Sequence, residues 1–274
     1  MFHYDIVYKS KIFSDSYSRD IADPVNCDLL IKGGTGYAIN LIDGKEAYSK
    51  NNDKNLPAEI EKCRPDYSIY PEYDFAISMT SRGCPRGCDF CHVAAKEGRK
   101  SCKVADVSDF YQGQKRIEVL DPNITACKDK HELFMQYGET KAEIVFNQGL
   151  DIRLITEQDI EDLNRINVKD IHFAWDNPED DLRGKFEAFA KNYQPHKKAN
   201  HGNKGMVYCL TNFNSTMEQN LYRIYTLRDM GFEPYVMIYD KPHASREIKA
   251  LQRWCNNKFI FRSCNNFDEY YQTK

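Results

Sequence analysis

Ten cysteines are spread over 274 residues, yet Cys84, Cys88 and Cys91 fall within eight positions, spaced C-x3-C-x2-C. Thiolates are the usual ligands of iron–sulfur clusters and of zinc. Gly83, Pro85 and Gly87 between and beside them permit a tight loop, so the three sulfurs can turn toward one centre. A closed structural zinc site takes four protein ligands. His92 adjoins Cys91, which is poor geometry for joining the same tetrahedron, and no second pair of ligands stands at a suitable spacing. Three thiolates without an obvious fourth suggest a cubane with one iron open to a small molecule. The others, Cys27, Cys63, Cys102, Cys127, Cys209, Cys255 and Cys264, are scattered and read as buried free thiols, with Cys102 and Cys127 both expected in loops near the top of the strand–helix scaffold.

Such a loop needs a scaffold, and the chain around it alternates strand and helix patterns. Short apolar runs at 75–80, 117–121, 143–147, 170–175, 205–210 and 234–239 read as strands. Helical periodicity is clearest at 216–230, where Leu221, Ile224, Leu227 and Met230 recur every three positions. A capping box from Ser215 to Glu218 opens that helix and Gly231 closes it. Residues 156–166 and 245–255 give two more helices. This alternation predicts an α/β fold of parallel βαβ units. Six units are too few for a closed eight-fold barrel, which leaves a six-stranded open barrel or a doubly wound sheet. Upstream, Ile6-Val7-Tyr8 and Leu29-Leu30-Ile31 read as two buried strands, the second running into Lys32-Gly33-Gly34-Thr35-Gly36. Stretches 14–18 and 20–24 read as loop or short helix, and 44–72 as a polar connector.

The cysteine loop follows directly on the first strand of the series, and Phe90 precedes its third cysteine. In strand, spacing and aromatic residue the segment resembles the cluster loop of the radical S-adenosylmethionine (SAM) superfamily. More narrowly, Thr80-Ser81-Arg82-Gly83-Cys84-Pro85 looks like the start of that loop in methylthiotransferases and cobalamin-associated members, and the whole chain looks most like uncharacterised members of that branch, including ones carried by bacteriophages. The resemblance implies a partial (β/α)6 barrel over 73–262, with a truncated Rossmann-like fragment at 1–48, a connector at 49–72 and a tail at 263–274. It implies a [4Fe–4S] cluster on Cys84, Cys88 and Cys91, SAM on the open iron, and a low-potential donor such as flavodoxin or ferredoxin. The implied activity is reductive cleavage of SAM to a 5′-deoxyadenosyl radical that takes a hydrogen atom from an unnamed substrate. The Asp-x-His-x-x-Gly loop that would give cobalt a histidine is absent, so cobalamin is not expected.

Reactive groups of a parallel barrel come from the carboxyl ends of its strands. Those places hold Asp121 and Asn123, then Gln148, Asp151 and Arg153, then Asp176 and Asn177. By resemblance Phe90 lies near the adenine of SAM, Asp121 and Asn123 meet its ammonium, Arg153 its carboxylate, and Asp176 or Asn177 its ribose. Asp and Asn after strands also make turns and caps, which is the competing reading for each residue alone. The chain departs from the family where Asp121-Pro122-Asn123 replaces a Gly-Gly-Glu, and where 208–213 lacks glycine. No residue is singled out as catalytic.

The charge balance, 38 basic against 41 acidic for a net −3, leaves no general footprint for nucleic acid. The basic cluster Lys197, Lys198, His201 and Lys204 reads as a solvated loop. No run approaches the roughly 20 apolar residues of a membrane span. The amino terminus lacks a signal pattern, so a cytoplasmic location is expected. Two other functions stay open: methyl or methylthio transfer to nucleic acid, and a non-catalytic iron–sulfur or zinc module.

Overall fold

A computed structural model describes residues 2–15, 18–42, 45–54, 56–195 and 199–272, in two compact units. The first comprises residues 1–66 and 83–99, the second 67–82 and 100–274. Lys197, Lys198 and part of the 14–18 stretch lie outside the described residues.

In the first unit β1 (Tyr4–Ser10) and β2 (Cys27–Gly33) pair in parallel. They are strands where the apolar runs place them, but they are not buried. Tyr4, Ile6, Tyr8 and Leu29, which share one face of the pair, are all exposed. The opposite face is tied down by charge. The buried Lys9 ammonium meets Asp23 at 2.8 Å and Asp20 at 2.9 Å, and Lys32 meets Asp23 at 2.7 Å. The glycine run after β2 answers a packing need. A Cβ on Gly34, whose φ is +96°, would stand 2.5 Å from the Lys11 carbonyl oxygen, and one on Gly36 would strike that of Phe13 at 2.2 Å. Short helices α1 (Thr35–Ala38), α2 (Ala58–Glu61) and α3 (Val93–Glu97) and the hairpin β3 (Ile39–Ile42) and β4 (Lys45–Tyr48) complete this unit.

The second unit holds an all-parallel sheet of β5 (Phe75–Ser78), β8 (Arg116–Val119), β9 (Glu143–Leu150), β10 (Val168–Ala174), β11 (Met206–Thr211) and β12 (Glu233–Ile238), side by side in chain order. A two-residue hairpin of β6 (Ser81–Arg82) and β7 (Cys102–Lys103) flanks the cysteine loop. Between strands run α4 (Lys130–Glu139), α5 (Glu157–Arg165), α6 (Arg183–Asn192) and α7 (Met217–Asp229). After β12 come α8 (Arg246–Asn256), α9 (Lys258–Ser263) and α10 (Phe267–Gln272). The segment expected as a tail therefore carries a helix, and it packs Phe267 and Tyr270 into a second core around Trp254.

Parallel crossovers are right-handed, so a sheet in chain order receives its connecting helices on one face. The side chains agree. Ile117, Val119, Ile144, Phe146, Ile171, Phe173, Val207 and Cys209 are buried with Leu133, Phe134, Leu163, Phe186 and Leu227 of the helices. Alternate positions Ile77, Tyr235 and Met237 stay exposed. The helix α7 begins one residue later than its sequence signal. Thr216 is the cap and Gln219 its partner, because Thr216 accepts from the Gln219 N–H and the Gln219 side chain answers the Thr216 N–H. Among the described residues no helix is long and apolar enough to cross a membrane.

Candidate functional site

The cysteine loop, within the first unit, is closed at its neck by the Cys84 N–H donating to the Gly98 carbonyl at 3.1 Å. Inside it, the Cys91 N–H donates to the Cys88 carbonyl at 2.9 Å, which turns the chain back on itself. Cys88 and Cys91 are exposed, and Cys84 and Phe90 half-buried. Helix α3 follows at once and anchors the loop to its own unit. Lys96 donates to Thr35 Oγ1 at 2.5 Å and lies 4.0 Å from Asp53, while Tyr48 donates to Asp53 at 2.8 Å and its ring is 6.1 Å from that of His92. Thr35 belongs to the glycine run, so that run and the cysteine loop share one scaffold.

Among the described residues no three His, Cys, Asp or Glu side chains converge on one ion position. A cubane asks for a different arrangement, because it spreads its thiolates over separate irons. Three thiols carried on one short loop, near solvent, with a neck closed by backbone, suit that donor set.

The remaining sequence-derived positions lie at the carboxyl end of the parallel sheet, in the second unit. Most of them are joined in one hydrogen-bonded chain. Asn123 accepts from Thr125 Oγ1 at 2.7 Å and from the Ala126 N–H, capping the turn after β8. Thr125 Oγ1 accepts the Asp151 N–H at 3.1 Å. Asp151 takes the Arg153 guanidinium at 3.1 Å, and the far side of that guanidinium meets Asp180 at 2.6 and 3.0 Å. Asn177 donates to the other Asp180 oxygen at 3.2 Å. Strand ends β8, β9 and β10 are thereby laced together. Arg153 is committed to two carboxylates, so this end of the sheet presents acceptors more than donors.

Asp121 stands apart from that chain. Its buried carboxylate accepts the Thr80 N–H at 3.0 Å, Thr80 Oγ1 at 2.8 Å and the Ser81 N–H, pinning the segment that leads into the cysteine loop. Burial raises its pKa above the ordinary carboxylate value, against the pull of those donors. Asp176 accepts the Leu210 N–H at 3.0 Å and is likewise raised by burial. Gln148 is exposed within a bulge, where Gly149 turns through φ +91° and residues 147–149 face His172 alone. His172 directs Nδ1 to the Phe146 carbonyl at 2.8 Å and stacks on Tyr208 at 5.5 Å.

Sequence reasoning passed over Thr125, Asp180 and Arg223. Arg223 is fully buried and gives its donors to the carbonyls of Trp175, Asp176, Leu210 and Gln219 and to Asn220 Oδ1. A signal existed, since Asn220 and Arg223 share the helical stripe of Ile224 and Leu227. A polar pair on an apolar stripe has to find buried partners. No protein-family model matches the chain, and no curated protein sequence is significantly similar to it.

Proposed function

We propose that the protein is a radical SAM enzyme whose cluster is held by Cys84, Cys88 and Cys91. The observation that carries this is the spacing of three thiols on a neck-closed loop that leaves the first strand of a parallel sheet laid out in chain order. The finer architecture proposed is a six-stranded open (β/α)6 barrel, with β1, β2 and the glycine run as a shortened Rossmann-like piece. Chain order supports the barrel over the doubly wound alternative, because a doubly wound sheet reverses its strand order at a switch point.

The chemistry such a cluster supplies when bound is one-electron reductive cleavage of SAM to methionine and a 5′-deoxyadenosyl radical, which takes a hydrogen atom from substrate. The chain's own residues bind and orient. Asp151, Asp180 and Asp176 offer carboxylate oxygens that suit hydroxyl and ammonium groups. Arg153 holds its carboxylates in place through both sides of its guanidinium, so it acts on a ligand through Asp151 and Asp180. Asp121 fixes Thr80 and Ser81, which precede the cysteine loop in the chain. An external low-potential donor would deliver the electron.

The test is electron paramagnetic resonance on anaerobically reconstituted, dithionite-reduced protein with and without SAM. A [4Fe–4S]⁺ signal whose g-values move when SAM is added is expected, and C84A, C88A and C91A should each lose both the signal and SAM cleavage. SAM cleavage that survives in those variants, or zinc bound in place of iron, overturns the reading.

A further inference from the structure

Helix α3 ends at Gly98, whose φ of +94° is open to glycine and strained for other residues. That turn does two things at once. It brings the Gly98 carbonyl to the Cys84 N–H at 3.1 Å, and it lays the next side chain, Arg99, back across the loop. The guanidinium rests on Gly87, between Cys84 and Cys88. A Cβ at Gly87 would stand 2.4 Å from Arg99 Nη1 and 2.8 Å from its Cζ, so the missing side chain is what makes room for the charge. Gly87 itself sits at φ +58°. Lys96, the cation within this helix, is engaged by Asp53, Glu97 and Thr35, while Arg86 lies in the loop itself and Lys100 follows Arg99 in the chain. Among the described residues no carboxylate pairs with Arg99.

We propose that Arg99 is the built-in counter-cation of the cysteine loop, a positioning residue that favours the reduced state of the cluster held there. The inference rests on the cluster reading above and adds what sets the cluster's potential. Three thiolates outweigh the charge of an oxidised cubane, and reduction adds one more electron, so the bound group is anionic and becomes more so. Net charge and the surrounding protein charges are among the levers on such potentials. A cation resting on the loop backbone, even an exposed one, stabilises the more negative, reduced form. Arg suits the place because its guanidinium fills the space that Gly87, having no side chain, leaves open.

The experiment compares wild type, R99Q and R99K, each reconstituted anaerobically and assayed for iron and sulfide. Each is then titrated potentiometrically with the reduced signal followed by electron paramagnetic resonance. R99Q should bind wild-type amounts of iron and sulfide. At a fixed solution potential its ratio of reduced to oxidised cluster should fall about tenfold, which for a one-electron couple is a midpoint more negative by about 59 mV. R99K should recover most of that shift. An R99Q cluster of normal content and unchanged midpoint overturns the proposal, and so does an R99K midpoint displaced as far as that of R99Q. Should R99Q assemble no cluster, R99K decides: a cluster near the wild-type midpoint supports the role, and its absence overturns it. A wild-type chain without a cluster removes the proposed function itself, and this inference with it, at the iron assay before any variant is compared.

Discussion

Asp176 follows β10 with one carboxylate oxygen on the Leu210 N–H, and burial raises its pKa above the ordinary 3.8. A raised folded-state value means that folding favours the protonated form. That contribution is complete below the unfolded value and is lost as pH climbs through the folded one. D176N keeps the acceptor for Leu210 and never ionises. Its stability relative to wild type should therefore increase as pH rises above the ordinary carboxylate range, read from urea midpoints of both proteins at each pH. A gap that stays constant would show that ionised Asp176 carries no penalty. This residue also marks how far the sequence reaches. That Asp121, Asn123, Asp151, Arg153, Asp176 and Asn177 stand at strand ends was legible from chain order. Which of them share a network was not, because Thr125 and Asp180 complete it and each comes from a turn whose path depends on the whole sheet.

Arg223 shows the same limit for elements. Helix α7 was legible almost to the residue from its stripe of Leu221, Ile224 and Leu227, and its cap moved by only one position. The strands were legible too, since six apolar runs became six neighbours in one parallel sheet. What the stripe could not disclose is that Arg223 ties α7 to two strands, with carbonyls of the β10 end at 2.9 Å (Asp176) and of the β11 end at 2.9 Å (Leu210). Burial pulls its pKa below the ordinary guanidinium value, and the nearby Cys209 and Asp176 oppose that pull. R223M fills similar volume and strands those carbonyls without a donor. Each unsatisfied buried group costs about 1–3 kcal/mol, so a loss of roughly 4 kcal/mol is expected, a large part of a domain's stability. R223K, with fewer donors, should fall between. Urea unfolding measures both, and an R223M midpoint equal to wild type would mean that water replaces the guanidinium at little cost.

At the scale of the whole molecule the two units are unequally built. The second carries a continuous core from Ala76 to Phe232 and a satellite core around Trp254. The first is stitched by Lys9, Lys32 and their aspartates and by backbone close to glycine, while Tyr4, Ile6, Tyr8 and Leu29 remain exposed. Apolar runs predicted buried strands there, but a two-stranded pair has no layer of its own to bury them. The cysteine loop belongs to this thinner unit although its flanking strands β5, β6 and β7 belong to the other. Its neck offers a clean cut. Within the first unit the Cys84 N–H meets Gly98 O at 3.1 Å, and within the second Arg82 pairs with Cys102, so the chain is closed on itself on each side of the cut. A chain of residues 67–274 with 84–98 replaced by a short glycine turn should keep a cooperative urea transition and an α/β circular dichroism spectrum, and should take up no iron. A broad, non-cooperative transition would show instead that the sheet draws its stability from the loop and the amino-terminal strands, and that the two units fold only as one.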